Sequence, residues 1–232
     1  MSLQLPKEAV EGGRMTVTVK VGSAGKARSV QLFKETTDLW GGVSWTAVKK
    51  RRVAGRSSLQ FTVVATDHNA ERYRASVAYA TGKPVTSRAA RVTVWRWVRL
   101  GSFASYYSTP GTSSAEYSSF AMNGAQYKGW HGYGTYPTWE SRHTPGRHCR
   151  AFRGDFGVTD SSADGSSAEI TLVADETTIA WTSSRLTPGM VEQAEIALAM
   201  PYRISVQARN TSPDGVRAYP AIGHPELLCT GI

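Results

Sequence analysis

One stretch in the second half of the chain concentrates residues that could do chemistry: Trp130-His131-Gly132-Tyr133-Gly134-Thr135-Tyr136-Pro137-Thr138-Trp139-Glu140-Ser141-Arg142-His143. Flat rings interleaved with fixed polar groups suit a sugar, because an aromatic face covers its C–H patch while charged and amide groups satisfy its hydroxyls. On that chemistry Trp130, Tyr133, Tyr136 and Trp139 form a candidate stacking platform, and His131, Glu140 and Arg142 are its polar partners. The glycines and the proline argue against a strand interior and place these rings on a loop. The alternative is that a long loop needs the same rings as anchors against the body of the fold.

Hydrolytic chemistry finds less support. Cleaving a glycosidic bond requires two carboxylates about 5 to 10 Å apart. The second half offers Asp155, Asp160, Asp164, Glu169, Asp175 and Glu176, but any sandwich edge carries as many. Asp160, Asp164 and Gly165 belong to a Ser-rich turn, and Asp175-Glu176 reads as a hairpin turn. No Gly-x-Ser-x-Gly elbow occurs. The histidines His68, His131, His143, His148 and His224 form no His-Glu-x-x-His, and the pair His143 and His148 lacks a third ligand at a zinc spacing. The chain is therefore expected to be noncatalytic and without a cofactor. The oxygen-rich segments around Asp155, Asp160 and Asp164 would suit a structural calcium, although no EF-hand pattern supports one.

The two cysteines, Cys149 and Cys229, cannot build a zinc or redox motif by themselves. If they pair, closing a loop of 80 residues stabilises the fold by about 4 to 5 kcal/mol on the chain-entropy account, which suits an extracellular protein. The alternative is two buried free thiols. Residues 1–7 lack the apolar region and small-residue cleavage site of a signal peptide.

The elements that must position these groups read as strands. Apolar and polar residues alternate at 15–21, 30–33, 45–48, 59–64, 73–78 and 90–94, and again at 150–158, 167–173, 178–181, 194–198 and 202–208, with Gly, Pro, Asp or Asn between the runs. Residues 188–199 are the one helical candidate, a weak one because the apolar residues alternate as well as they cycle and Pro201 stops it. No apolar run approaches the roughly 20 residues of a membrane span. A chain of 232 residues, 41% apolar, suffices for two ordinary domains.

Charge supports that division. The net charge of +9 belongs to the first half: residues 1–97 carry 17 Lys and Arg against 6 Asp and Glu, whereas residues 98–232 carry 10 against 12. The first half could meet an acidic polymer, or could simply be a solvated basic β surface. The run Lys49-Lys50-Arg51-Arg52 is expected at a hairpin end or sheet edge, where charge blocks edge pairing. Neighbouring strand residues point to opposite faces, so the four do not make one nucleic-acid stripe, and no nucleic acid is expected as a partner. At Trp95-Arg96-Trp97-Val98-Arg99-Leu100 the composition turns aromatic and rich in Gly and Ser, which places the boundary there.

Two resemblances follow. Val30-Gln31-Leu32, Trp45-Thr46-Ala47-Val48, Phe61-Thr62-Val63, Tyr73-Arg74-Ala75-Ser76-Val77 and Ala90-Arg91-Val92-Thr93-Val94 resemble, in order, the immunoglobulin-like or fibronectin-type-III-like modules of bacterial secreted proteins. In the second half, Met122-Asn123-Gly124-Ala125-Gln126-Tyr127-Lys128-Gly129-Trp130 comes first. Cys149-Arg150-Ala151-Phe152-Arg153-Gly154-Asp155-Phe156-Gly157-Val158-Thr159-Asp160 and Ala168-Glu169-Ile170-Thr171-Leu172-Val173 follow, and Ile222-Gly223-His224-Pro225-Glu226-Leu227-Leu228-Cys229 closes the chain. That order resembles the NPCBM family of novel putative carbohydrate-binding modules, with Tyr219-Pro220-Ala221-Ile222 where the family often carries a Trp.

The resemblances imply an all-β chain: an immunoglobulin-like sandwich at 1–97, then a galactose-binding-like jelly-roll sandwich at 98–232. They imply a secreted, noncatalytic protein that binds carbohydrate or a cell-wall polymer, with the first module as spacer. The competing expectation is a structural or adhesive surface protein that contacts protein partners, its aromatic segment serving only as packing.

Overall fold

A computed structural model describes residues 1–67, 69–113 and 118–231; His68 lies outside the described residues. The chain divides into two compact units, 1–96 with 230–232, and 97–229. Among the described residues every regular element is a strand apart from two short 3-10 turns, Ala24–Lys26 and Leu100–Ser102, and no helix is long and apolar enough to cross a membrane.

The first unit contains β1 (Ser2–Gln4), β2 (Glu8–Val10), β3 (Arg14–Lys20), β4 (Ala27–Thr37), β5 (Val43–Arg52), β6 (Ser58–Val64), β7 (Asn69–Tyr79), β8 (Val85–Thr86) and the start of β9 (Ala90–Arg99). One layer has the order β1-β3-β6. The other runs β2-β9-β7-β4-β5, with β8 beside the end of β7 and only the β2–β9 pair parallel. Period-2 patterning places the core. Met15, Val17 and Val19 of β3 and Leu59, Phe61 and Val63 of β6 face Val30, Leu32, Tyr73, Ala75, Val77, Val92 and Val94 of the other layer. The quartet 49–52 lies on β5, which ends its sheet order. Lys49 and Arg51 lean inward, Lys49 Nζ donating to Thr62 O at 3.0 Å and the Arg51 guanidinium lying 5.7 Å from the Phe61 ring. After β9, Thr230 belongs to the first unit, its Oγ1 donating to Val94 O at 3.0 Å.

The second unit contains β10 (Ser105–Ser108), β11 (Ser119–Met122), β12 (Ala125–His131), β13 (Thr138–His143), β14 (Cys149–Val158), β15 (Ala168–Ala174), β16 (Thr178–Thr182), β17 (Val191–Ala197), β18 (Ile204–Asn210) and β19 (Pro220–Cys229). Two antiparallel sheets result, β10-β13-β18-β15-β16 and β11-β12-β19-β14-β17. Their inner faces enclose Phe152, Phe156, Ile170, Leu172, Val206, Ile222 and Leu227. The weak helical candidate is strand β17, so its alternation governs. Asp175 and Glu176 form the turn between β15 and β16, with φ of 46° and 70°. Cys149 and Cys229 lie opposite each other on β14 and β19 and form a buried disulfide.

Candidate functional site

The aromatic stretch is not one loop. β12 ends at His131 and β13 starts at Thr138, which leaves residues 132–137 as the connection. Trp130 pairs with Ile222 on β19 and Trp139 with Ala208 on β18. Both indoles point into the sandwich and are 0% and 1% exposed. Neither ring offers a face to a ligand, which corrects their expected place in a stacking platform: each occupies the inward position of a strand, where burying a large ring is most favourable.

Trp139 nevertheless shapes the site. A Cβ on Gly132 would lie 2.6 Å from Trp139 Cδ2, so the ring packs on bare glycine backbone. Its Nε1 donates to Tyr133 O at 3.0 Å. Tyr133 N donates to Gly111 O at 2.7 Å, Gly132 N to Pro220 O at 2.8 Å, and Asn210 N to Pro137 O at 2.9 Å. Four hydrogen bonds thus fix the 132–137 connection before any ligand arrives.

That connection presents Tyr133 and Tyr136, 50% and 43% exposed. The Tyr136 ring rests on two glycines of positive φ. A Cβ on Gly111 (φ 77°) would lie 2.4 Å from its Cδ2, and one on Gly134 (φ 82°) would lie 3.1 Å from its Cε2. Side chains at either position would displace the ring. Beside it lies a hollow of about 450 Å³ that includes Tyr136, Pro137, Asn210, Asp214 and Arg217.

His131 points to the face opposite Trp130, where it is half-buried against Phe120. Its backbone N and its Nδ1 both lie 2.8 Å from Ser113 Oγ, and its ring lies 5.2 Å from Phe120 and 5.8 Å from Tyr133. The hydroxyl accepts from the backbone N–H, and the imidazole tautomer sets the direction of its bond with Nδ1. Burial pushes the imidazole below its ordinary value, so the neutral form is favoured.

Glu140 and Arg142 come together on the outer face of the β13–β18 pair. Glu140 Oε1 accepts from Arg142 Nε at 2.8 Å, Ser205 Oγ at 2.7 Å and Gln207 Nε2 at 3.0 Å, and Oε2 accepts from Arg142 Nη2 at 3.2 Å. Burial works to raise its pKa, but the bonds from Arg142, Ser205 and Gln207 outweigh it and hold the carboxyl below its ordinary range. A general acid needs the opposite shift.

Tyr107 of β10 lies directly opposite Arg142 in the sheet, with the guanidinium 4.7 Å from its ring centroid. The next column adds an Arg209–Glu169 pair at 2.9 and 3.2 Å. A shallow hollow of about 290 Å³ includes Thr138, Glu140, Glu169, Thr171, Gln207 and Arg209. Its lining residues Thr138 and Arg209, paired in the sheet, are the chain neighbours of Pro137 and Asn210, which line the Tyr136 hollow.

Sequence reasoning missed Tyr107, Ser205, Gln207 and Arg209. The polar residues of β18 are the ordinary outward positions of any half-buried strand. The Ser105-Tyr106-Tyr107-Ser108 segment has no apolar alternation that announces an edge strand. Of the carboxylates weighed for calcium, Asp155 accepts from Gln193 Nε2 at 2.8 Å and lies 3.1 Å from His224 Nδ1, and Asp160 accepts from Gly124 N at 2.9 Å.

No protein-family model matches the chain, and no curated protein does. Among solved structures, the CBM51-2 and INT domains of ZmpB from Clostridium perfringens align at 10% identity over 72% of this chain and 39% of that one, with a TM-score of 0.47. A Clostridium perfringens CBM51 in complex with methyl-galactose aligns at 14% identity over 56% of this chain and 99% of that one, with a TM-score of 0.45. The tandem CBM51 modules of a Streptococcus pneumoniae family 98 glycoside hydrolase align at 10% identity over 95% and 82%, with a TM-score of 0.48.

Proposed function

We propose that residues 97–229 form a noncatalytic carbohydrate-binding module. Its binding surface runs from Tyr136 along the outer face of β13 and β18 to Tyr107. The observation that carries this reading is the Glu140 hub: one carboxylate, held ionised by Arg142, Ser205 and Gln207, beneath a sheet surface where Arg142 also meets the exposed Tyr107 ring. A fixed array of charged and amide groups beside exposed rings is what hydroxyl-rich ligands require, and its rigidity lowers the ordering cost of binding. The NPCBM-like order of motifs in 98–232 and the disulfide, which suits an oxidising extracellular setting, support the reading. The first unit then serves as its spacer, a sandwich module of the immunoglobulin-like kind.

A glycan array that includes bacterial cell-wall polymers, probed with the full chain, tests the proposal. A reproducible hit that weakens at least tenfold in Tyr107→Ala or Tyr136→Ala, with the melting temperature unchanged, supports it. A hit indifferent to both substitutions rejects this surface.

A second reading, docking to a protein partner, rests on the β4–β5 turn of the first unit. Leu39 and Trp40 are 101% and 94% exposed there. Asp38 pins the turn, its Oδ1 accepting from Trp40 N at 2.9 Å and Gly42 N at 2.7 Å. Two exposed apolar side chains on a fixed turn fit an anchor for a pocket on another protein. Loss of a protein interaction in Trp40→Ala with glycan binding intact would favour this reading.

A further inference from the structure

The outer face of the five-stranded sheet in the first unit carries cations in an arrangement that folding does not require. Strand alternation fixes which residues share that face. Val30, Leu32, Tyr73, Ala75, Val77, Val92 and Val94 point into the core. The intervening positions Arg72 and Arg74 of β7 and Arg91 of β9 therefore point outward, as do Lys50 and Arg52 of β5, which pair with Gln31 and Ser29. Glu35 is the acidic residue among them, and it is taken by Arg72 at 3.0 Å.

Two details exceed a merely soluble surface. Arg72 and Arg91 are directly opposite in the β7–β9 register, where like charges destabilise a sheet. The Arg74 guanidinium lies 4.2 Å from the Trp45 ring and 5.7 Å from the Phe33 ring, and its Nε is buried with no hydrogen-bond partner among the described residues. The two rings hold this cation in place while leaving it donors to spare. A trough of about 940 Å³ includes Arg72, Arg91, Lys34 and the hydroxyls of Thr36, Thr37 and Thr66, and its two carboxylates are both paired, Glu35 with Arg72 at 3.0 Å and Asp67 with Lys34 at 2.9 Å.

We infer that this face binds an anionic polysaccharide, whose carboxylate or sulfate groups neutralise the Arg72–Arg91 pair, Arg74, Lys50 and Arg52. The surplus of 17 Lys and Arg over 6 Asp and Glu in residues 1–97 supplies the long-range attraction. Hydroxyl groups in the trough and the Trp45 and Phe33 rings suit sugar units between the anionic groups. This site is separate from the surface proposed on the second unit and stands whether or not that surface binds glycan.

The test is titration of the full chain with polygalacturonate, and with uncharged dextran of similar length, at low and high salt. The expected result is binding of polygalacturonate alone, weakened at least tenfold by salt and at least tenfold by Arg91→Glu or Arg52→Glu in variants that melt no lower than the parent. Lys20→Glu makes the same charge change on β3, in the other sheet, and is expected to alter affinity less than twofold. Equal losses from Lys20→Glu and Arg91→Glu would mean that binding follows net charge, and would overturn the site. Absence of polygalacturonate binding, or tighter binding of double-stranded DNA than of polygalacturonate, would overturn the ligand class. A matching loss in Tyr107→Ala would move the site to the second unit.

Discussion

The indole nitrogen of Trp139 donates to the carbonyl of Tyr133 at 3.0 Å, so a fully buried ring fixes the conformation of an exposed one. Trp139→Phe keeps most of the apolar volume and removes the donor. The expected cost is about 1 kcal/mol for the hydrogen bond, plus a further loss from the smaller ring, read as a lower urea midpoint. The more telling expectation is local. Amide exchange in residues 132–137 accelerates by more than global stability explains, and affinity for any glycan held at Tyr136 falls while Tyr107-dependent contacts persist.

Glu71 in the first unit is 1% exposed and serves five donors: Lys34 Nζ at 2.8 Å, Thr66 N at 2.6 Å, Thr66 Oγ1 at 3.4 Å, Asp67 N at 3.0 Å and Tyr73 Oη at 2.5 Å. Burial alone would raise its pKa, but the bonds from Lys34, Tyr73 and the two backbone amides pull it below its ordinary 4.5. The folded state therefore binds fewer protons than the unfolded state. Glu71's contribution is complete above about pH 4.5 and is lost as pH falls through the folded value. Glu71→Ala is expected to cost about 1 to 3 kcal/mol, because it leaves the Thr66 and Asp67 amides and the Tyr73 hydroxyl without their acceptor, while Lys34 keeps Asp67 at 2.9 Å and Thr66 Oγ1 at 2.7 Å. It should also flatten the acid limb of the stability profile, measured by chemical denaturation between neutral and acid pH.

The first sandwich, and the second from β14 onward, were legible because those strands alternate apolar and polar residues. The sequence runs 59–64 and 73–78 fall within β6 and β7, and Phe61, Tyr73 and Val77 are core residues as the pattern requires. The site was less legible. In β13 the inward positions are Trp139, Ser141 and His143, two of them polar, so the alternation that marks a strand is masked in hydrophobicity although it is complete in geometry. His143 is accommodated by Phe103 O, 2.7 Å from Nδ1, and by Ser141 Oγ, 3.1 Å from Nε2. Without those partners visible, glycine and proline nearby made the segment read as a loop and its tryptophans as exposed. Glu140 and Arg142 were identified from residue type alone, whereas Ser205 and Gln207 lie 65 and 67 residues away in sequence from Glu140. Only the β13–β18 register brings them to it.

The Cys149–Cys229 bridge ties strands β14 and β19, which also pair through their backbones along most of their lengths. Reduction leaves that pairing available in the native state and mainly frees the unfolded chain. The expected loss is about 4 to 5 kcal/mol, the chain-entropy value for a separation of 80 residues. The Cys149→Ala/Cys229→Ala variant should therefore fold to the same far-ultraviolet spectrum but unfold at a clearly lower denaturant concentration. The parent should match it only in the presence of reductant. Equal midpoints for parent and variant without reductant would show that the bridge contributes little.

Arg72 and Arg91 bear on stability independently of any ligand. They face each other across β7 and β9 with one carboxylate, Glu35, bonded to Arg72 at 3.0 and 3.1 Å. A threonine in place of Arg91 suits a strand and removes the repulsion, so Arg91→Thr is expected to stabilise the protein by about 0.2 to 1 kcal/mol at low salt. The gain should shrink as salt screens the parent's repulsion. Arg72→Thr is the discriminating companion, because it relieves the same repulsion while releasing Glu35. Its gain should be smaller than that of Arg91→Thr, and the difference measures what the Arg72–Glu35 pair contributes. If Arg91→Thr destabilises instead, the Arg91 side chain contributes packing that outweighs the charge it places opposite Arg72.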